Sequence, residues 1–336
     1  MNIWPASKAL AKRCILHSGA LLCTNGFVTR SVAILMYHSV TDDPRRHAYS
    51  LGELSYSTAM FRKHMELIAN NYHPVGLDDV LRFVNGDNSL PPRPVVVTFD
   101  DGYADNADVA APVLNHFGIR GVFYVTVESV NTGTPPWFAL LRYAFSTSKQ
   151  TIWTDSTGMQ WPLVSPEQRN RAFLAACETC ARSTGTAQKK MVQALECKLD
   201  SSLSIQTERL MMTWAQARQL VRAGHIVGSH TMTHPNLAHV KDEEISLELA
   251  QSKEILEREL AISALHFSYP GPSQRPHWNS RTVAFCRQAG YRSAVTTNSG
   301  PVRKGDDPLY LRRVPTAPDV HSLRWILECT FLGRSM

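Results

Sequence analysis

Val95-Val96-Val97-Thr98-Phe99-Asp100-Asp101-Gly102 is the stretch on which the fold turns. Pro94 opens it, a β-branched run carries it, and two adjacent carboxylates and a glycine end it. A short apolar run of this kind suits a strand buried in a parallel sheet. Open α/β sheets and (β/α) barrels place their chemistry at the carboxyl ends of such strands, where Asp100 and Asp101 fall. Farther along, Gly228-Ser229-His230-Thr231-Met232-Thr233-His234 follows a second short apolar run and carries two histidines four residues apart. One carboxylate with two imidazoles is a metal-ligand set, and a second carboxylate beside it is available as a base.

Working outward, apolar runs alternate with helical patterns from residue 32 onward. Candidate strands fall at 32–37, 72–75, 95–99, 121–127, 225–228, 265–269 and 293–297, with an eighth candidate at 309–314. Helical patterns lie near 58–70, 78–85, 104–117, 214–223, 242–261 and 279–289. Gly118, Gly224 and Gly290 each stand where a left-handed C-terminal cap belongs. In the 242–261 stretch, Ile245, Leu249, Leu256 and Leu260 share a face, and Glu243, Glu244, Glu254 and Glu257 crowd the rest. Strand–helix alternation over seven or eight units predicts a (β/α) barrel rather than an open sheet. From about 131 to 212 the alternation breaks into a helical, turn-rich segment holding Trp137, Trp153 and Trp161, read as an insertion on the rim that carries the motifs.

The chain has 336 residues, 43% hydrophobic and 19% charged, which fits a soluble globular protein with a substantial core. Its formal net charge of +6 is scattered and forms no nucleic-acid stripe. Seven cysteines, an odd number without a framework, indicate a reducing compartment, and Cys177-x-x-Cys180 reads as core or surface thiols. Residues 1–30 read as a separate helical segment before a domain spanning 31–336. Its apolar run at 14–22 is too short to span a bilayer and lacks a cleavage site. An amphipathic helix packed on the domain, or lying on a membrane surface, is the expectation, with a cytoplasmic protein that can be peripheral to the membrane.

Thr98-Phe99-Asp100-Asp101-Gly102, then His230-Thr231-Met232-Thr233-His234, then Phe267-Ser268-Tyr269-Pro270 after a third strand resemble, in that order, the polysaccharide deacetylase family. These are metal-dependent carbohydrate esterases that remove acetyl groups from N-acetylated sugars. The likeness covers roughly 32–316 and implies an α/β fold, a distorted (β/α) barrel of seven or eight strands with the insertion added. It also implies that Asp101, His230 and His234 bind a divalent metal and that Asp100 is the base. Two imidazoles and one carboxylate suit Zn²⁺, and also Co²⁺ or Ni²⁺. Asp100 could instead cap the following helix or steady Asp101.

Amide hydrolysis also needs an acid for the departing amine. The family usually takes it from a late Leu-x-His motif, but the corresponding stretch here reads Leu311-Arg312-Arg313-Val314. A branch of the family with an early Tyr-His strand resembles Tyr37-His38, which makes His38 the expected acid. The family's third motif normally carries an arginine that steadies the base, and Ser268 stands at that position. Arg313 is the expected substitute, reaching the base from the last strand. Gly271 replaces the family's tyrosine, and its N–H can still serve as an oxyanion donor. Tyr269 joins it as a substrate-side residue, and Trp137 is the candidate for stacking on a sugar ring. The expected partner is an N-acetylated glycan or lipid-linked saccharide, with no nucleic acid. Alternatives are hydrolysis of a non-sugar amide or imide at the same metal site, and an inactive glycan-binding protein on this scaffold.

Overall fold

A computed structural model describes residues 30–43, 55–201, 209–271 and 275–333. The expected N-terminal helical segment lies outside the described residues, Arg30 excepted. Seven strands make the barrel: β1 (Ser31–Tyr37), β2 (Pro94–Phe99), β3 (Gly121–Val125), β4 (Ile226–Ser229), β5 (His266–Ser268), β6 (Ser293–Ser299) and β7 (Leu311–Pro315). All seven are parallel, and the sheet closes because β1 pairs with both β2 and β7. The register runs Ala33 opposite Val95 to Tyr37 opposite Phe99, so the ends of β1 and β2 reach one rim together. Of the eight strand candidates, 72–75 falls outside the closed barrel. Its His73–Pro74 pair only borders the start of β2, with His73 N–H donating to Arg93 O at 3.1 Å and Val75 N–H to Val95 O at 2.9 Å.

The helices are α1 (Thr58–Asn71), α2 (Leu77–Val84), α3 (Ala111–His116), α4 (Val127–Thr132), α5 (Trp137–Thr147), α6 (Pro166–Cys180), α7 (Gly185–Lys198), α8 (Trp214–Arg222), α9 (Asp242–Leu260), α10 (Ser280–Gln288) and α11 (Val320–Phe331). The helical pattern at 104–117 is helical from 104 to 116, with a π-helical stretch over Asn106–Ala110 just before Pro112, which cannot donate a helical hydrogen bond. None of the described helices is long and apolar enough to cross a membrane.

Strand alternation divides the core into two layers, because successive side chains point to opposite faces. Ala33, Leu35, Tyr37, Val95, Val97 and Phe99 pack outward on α1, α3, α8, α9 and α11 through residues such as Phe61, Leu114, Leu220, Leu256 and Leu323. Val32, Ile34, Val96, Val122, Tyr124, Ile226 and Leu311 pack inside, and Leu77, Val80 and Phe83 of α2 close the end where the strands begin. Following the inward face at steps of two leads from Ile34 to His38, from Val96 through Thr98 to Asp100, from Ile226 to His230, and from Leu311 to Arg313. Period-two geometry thus aims these four side chains into one barrel mouth.

The insertion has its own hydrophobic cluster. Trp137, Phe138, Leu141 and Phe145 of α5 pack on Phe173, Ala176 and Cys177 of α6, with Val192 of α7 and Trp153 alongside. Trp153 sits on a short antiparallel hairpin in which Ile152–Thr154 pairs with Gln160–Pro162.

Candidate metal centre

After Asp100 the chain leaves β2 by a sharp turn, with Asp101 at φ 75° and Gly102 at φ 84°. A Cβ at Gly102 would stand 3.1 Å from Cβ of Val125, so the turn needs glycine for space as well as for backbone angle. Thr231 (φ 69°) and His234 (φ 61°) also hold the left-handed conformation, which is unfavourable for residues bearing a Cβ. The surrounding hydrogen bonds over-determine these conformations. Thr126 N–H donates to Asp101 O at 3.3 Å, His230 N–H to Val125 O at 2.9 Å, and Val127 N–H to Thr231 O at 3.1 Å. Within the histidine loop, His234 N–H donates to Thr231 Oγ1 at 2.9 Å.

The result brings Asp101, His230 and His234 together, all buried, with their potential ligand atoms within 4.8 Å of one another. Asp101 Oδ1 faces His230 Nε2 at 3.5 Å and His234 Nε2 at 3.4 Å. That oxygen is buried and has no hydrogen-bond partner. His230 Nδ1 donates to Ser268 O at 2.8 Å, which fixes the tautomer and turns a bare Nε2 toward Asp101. Phe138 covers His234 with ring centroids 4.6 Å apart. An orphaned carboxylate oxygen facing two imidazole nitrogens fits a cation of the zinc class. Burial alone would raise the Asp101 pKa, but the two histidines outweigh it and keep the carboxylate ionised. His230 is pushed down by burial and pulled up further by Asp100 and Asp101, whereas burial prevails at His234.

Asp100 is held differently. Arg313 grips it in a two-pronged ion pair, Nη1 to Oδ1 at 2.8 Å and Nη2 to Oδ2 at 2.7 Å. Arg313 Nε donates to Thr296 O at 2.8 Å, and Ser268 Oγ reaches Asp100 Oδ2 at 3.3 Å. Burial raises the Asp100 pKa, but Arg313 and His230 more than reverse it, so the group stays an acceptor. His38 stands half-buried on the same rim with Nδ1 unpartnered. Burial sets its pKa below the ordinary imidazole value, and the upward pull of Asp101 and Asp100 offsets this only in part. Its backbone is pinned from below: Asn106 Nδ2 donates to His38 O at 2.6 Å, and Ser39 Oγ donates to Asp105 Oδ2 at 2.7 Å.

Two expected substrate-side residues are placed elsewhere than the sequence suggested. Tyr269 is buried and directed outward, its hydroxyl donating to Leu309 O at 2.8 Å and its ring packing on Phe267 and Trp278. The alternation that turns Ser268 inward necessarily turns Tyr269 out. Trp137 is only 6% exposed, so no open stacking face stands at the mouth. Its indole N–H instead donates to His234 O at 2.8 Å, tying the insertion to the ligand loop. Gly271 does lie beyond the end of β5, where a Cβ would stand 2.5 Å from His277 Nδ1.

Three further residues belong to the site. Ser268 touches both the base candidate and a ligand. Glu248 of α9 accepts from Met232 N at 2.8 Å, Thr233 N at 2.9 Å and the Thr233 hydroxyl, bracing the loop between the two histidines. A glutamate on the buried side of α9, directly before Leu249, was the available signal. His277 Nδ1 lies against Gly271, and its pKa is held at about 4 by burial, then by Arg275, His234 and His239. No motif in the sequence marks it.

Comparison with known proteins agrees with this fold. The polysaccharide deacetylase family model matches residues 87–294. The Bacillus subtilis (strain 168) protein YxkH, whose own assignment as a polysaccharide deacetylase is provisional, is 20% identical over 286 residues, covering 85% of this chain and 71% of its own. Among solved structures, the Streptococcus pyogenes deacetylase PplD, in complex with acetate, superposes with a TM-score of 0.59 at 18% identity. IcaB from Ammonifex degensii superposes with a TM-score of 0.58 at 18% identity. Each of these two matches covers 90% of this chain and 98% of the other. The chain belongs to the polysaccharide deacetylase family.

Proposed function

We propose that this deacetylase removes N-acetyl groups from an acetylated glycan, with a divalent metal ion, most simply Zn²⁺, held by Asp101, His230 and His234. The observation that carries the metal reading is the buried Asp101 Oδ1, unpartnered and facing both Nε2 atoms. Zn²⁺ suits this donor set, which also accommodates Co²⁺ or Ni²⁺. When bound, such an ion supplies Lewis acidity, polarising an acyl carbonyl and acidifying water.

The chain's own residues do the rest. Asp100 accepts a proton from the water that attacks the acetamide carbonyl, and Arg313 keeps its carboxylate ionised and correctly aimed. The C–N bond then breaks, and His38 gives the departing amine its proton. The Gly271 N–H serves as a donor for the negative charge that develops on the carbonyl oxygen. The Arg313–Asp100 fork favours catalysis over mere glycan binding, because a binder has no need to fix and ionise a carboxylate beside the cation site.

The test loads the protein with Zn²⁺ and measures bound metal and acetate release from N-acetylated oligosaccharides. A His230→Ala/His234→Ala variant should lose both while keeping its circular dichroism spectrum. Stoichiometric metal and undiminished acetate release in that variant would overturn the assignment.

A further inference from the structure

Nδ1 of His38 is buried without a hydrogen-bond partner. By contrast, Nδ1 of His230 is fixed on Ser268 O, and Asp100 is gripped by the Arg313 fork. With no bond at that nitrogen to orient the ring, the aim of the His38 imidazole depends on how its backbone is held. Three hydrogen bonds to Asp105 and Asn106 hold it. Asn106 Nδ2 donates to His38 O at 2.6 Å, Ser39 Oγ donates to Asp105 Oδ2 at 2.7 Å, and Val40 N–H donates to Asp105 Oδ1 at 3.2 Å. A fourth, from Asn106 Nδ2 to Asp105 Oδ1 at 2.9 Å, joins the two clamping residues.

The clamp is unfavourable on its own account. Asp105 is 2% exposed and Asn106 is fully buried, and Asn106 Oδ1 has no hydrogen-bond partner. Turning the amide over would set that oxygen against His38 O and Asp105 Oδ1, both acceptors, so the amide is fixed in the orientation that strands it. A buried carboxylate and an unpaired amide oxygen both carry desolvation penalties that a plain loop anchor does not require. Asn106 also opens the π-helical stretch to Ala110, a distortion frequent at functional sites. The chain leading up to it is braced, with Met212 N–H donating to Gly102 O at 2.9 Å and Ala104 N–H to Leu210 O at 2.8 Å. Base, metal ligand and clamp therefore lie on one supported segment, 100–106.

We propose that Asp105 and Asn106 are positioning residues for the proton donor. They set the His38 backbone so that its imidazole meets the departing nitrogen, and they serve amine expulsion rather than metal binding or water activation. The proposal rests on the deacetylase reading, with His38 as its acid. When the C–N bond breaks, the electron pair stays on nitrogen and takes the proton from His38. An amine does not leave as an anion, whereas a nitrophenolate departs without a proton. The clamp should therefore matter far more for an amide than for an activated ester.

The test compares the Zn²⁺-loaded protein on the β-1,4- or β-1,6-linked hexamer of N-acetylglucosamine, whichever it turns over, and on 4-nitrophenyl acetate. Asn106→Ala and Asp105→Asn should lower kcat on the hexamer by about tenfold to a hundredfold, the scale of a misplaced catalytic group, with KM and bound Zn²⁺ unchanged. The ratio of amide to ester kcat/KM should fall about tenfold or more. In a His38→Ala background, Asn106→Ala should add little, because the clamp acts only through that ring. Val113→Ala, a core truncation in α3, shows what lost stability does by itself and should keep the wild-type ratio. Ser39→Ala removes a single hydroxyl and should lower the ratio in the same direction, which decides the question if the two stronger variants do not fold. Equal losses on both substrates, full additivity with His38→Ala, or a wild-type ratio in every clamp variant that folds refutes the clamp while the deacetylase reading stands. If the wild type releases no acetate from either hexamer, the deacetylase reading fails and the clamp falls with it.

Discussion

The barrel rim and the insertion bury their side chains on opposite terms. At the rim, Asp100, Asp101, His230, His234, Glu248 and Arg313 are each 5% exposed or less. The insertion buries Trp137, Phe138, Phe145, Trp153 and Phe173, and its described buried polar residues, Ser148, Thr184, Gln188 and Ser201, carry no charge. Even its two buried free cysteines follow this pattern, since burial pushes the Cys180 thiol up to about 12 and Cys177 upward as well. Neither is a reactive thiolate at neutral pH. Desolvated charges are unfavourable unless tightly paired, so a rim crowded with them is built for chemistry rather than stability. Damage at the rim should therefore remove catalysis from a folded protein, and damage in the insertion should change packing or substrate affinity.

The largest test of that contrast is Asp100. Asp100→Asn should lower kcat by about 10²-fold or more with metal content unchanged, as expected for loss of a general base. Arg313→Met should act on the same step and also destabilise the fold by about 3–5 kcal/mol, because it strands a buried carboxylate. Arg313→Lys should restore charge but not the two-pronged geometry, recovering only part of kcat. Steady-state kinetics with urea denaturation separates the two effects. Wild-type kcat in Asp100→Asn would place the base elsewhere.

Much of this rim is legible in the sequence because strand periodicity is strict. A run such as Val95–Phe99 ending in Asp100 fixes both a strand and the face of its last residues, and Arg313 becomes visible once Ser268 leaves the base without a cationic partner. What stays hidden depends on tertiary approach. Glu248 lies fourteen residues beyond His234 on another element, and only docking of α9 brings it under the loop. Trp137 is conspicuous as a residue, but composition does not tell a stacking face from a wall, and its bond to His234 O spans 97 positions. Tyr269 was misplaced for a simpler reason: its neighbour Ser268 takes the inward face.

Next in size is the brace beneath the ligands. Glu248→Ala removes the acceptor for two backbone N–H groups and one hydroxyl in the loop between His230 and His234. Groups that orient metal ligands are typically worth about 10–100-fold in metal affinity or activity. The Zn²⁺ Kd, read by chelator competition, should weaken within that range. An unchanged Kd would show that the strained backbone at Thr231 and His234 holds its shape unaided.

Acid should separate the two regions without mutation. None of the thirteen histidines falls within 131–212. In the barrel layers, burial holds His64 and His225 at about 4, against an ordinary value of 6.5. The unfolded chain takes up these protons below about pH 6.5 and the folded chain only near pH 4. Their contribution is therefore fully present above pH 6.5 and is lost as pH falls toward 4, on the order of 2 kcal/mol for His64. Hydrogen exchange followed from pH 7 to 4.5, corrected for intrinsic rates, should show barrel amides losing protection before those of α5 and α6. His64→Gln should flatten the slope of stability against pH. Earlier loss in the insertion would invert the comparison.

The smallest expected effect lies at the seam between the regions. Trp137→Phe keeps most of the buried ring within the insertion core but deletes the N–H that donates to His234 O at 2.8 Å. The carbonyl then loses a partner in a buried setting, a change of about 1–3 kcal/mol if no water replaces it. Phe138, the next residue, still covers the His234 ring, so the imidazole keeps its packing while its backbone loosens. The signature should be divided: a few-fold weaker Zn²⁺ binding, with insertion stability lowered by about 1 kcal/mol. A purely structural tryptophan would lower stability and leave the Kd for Zn²⁺ untouched. A drop in both properties would show that the insertion, neutral as its core is, helps hold the metal ligands in place.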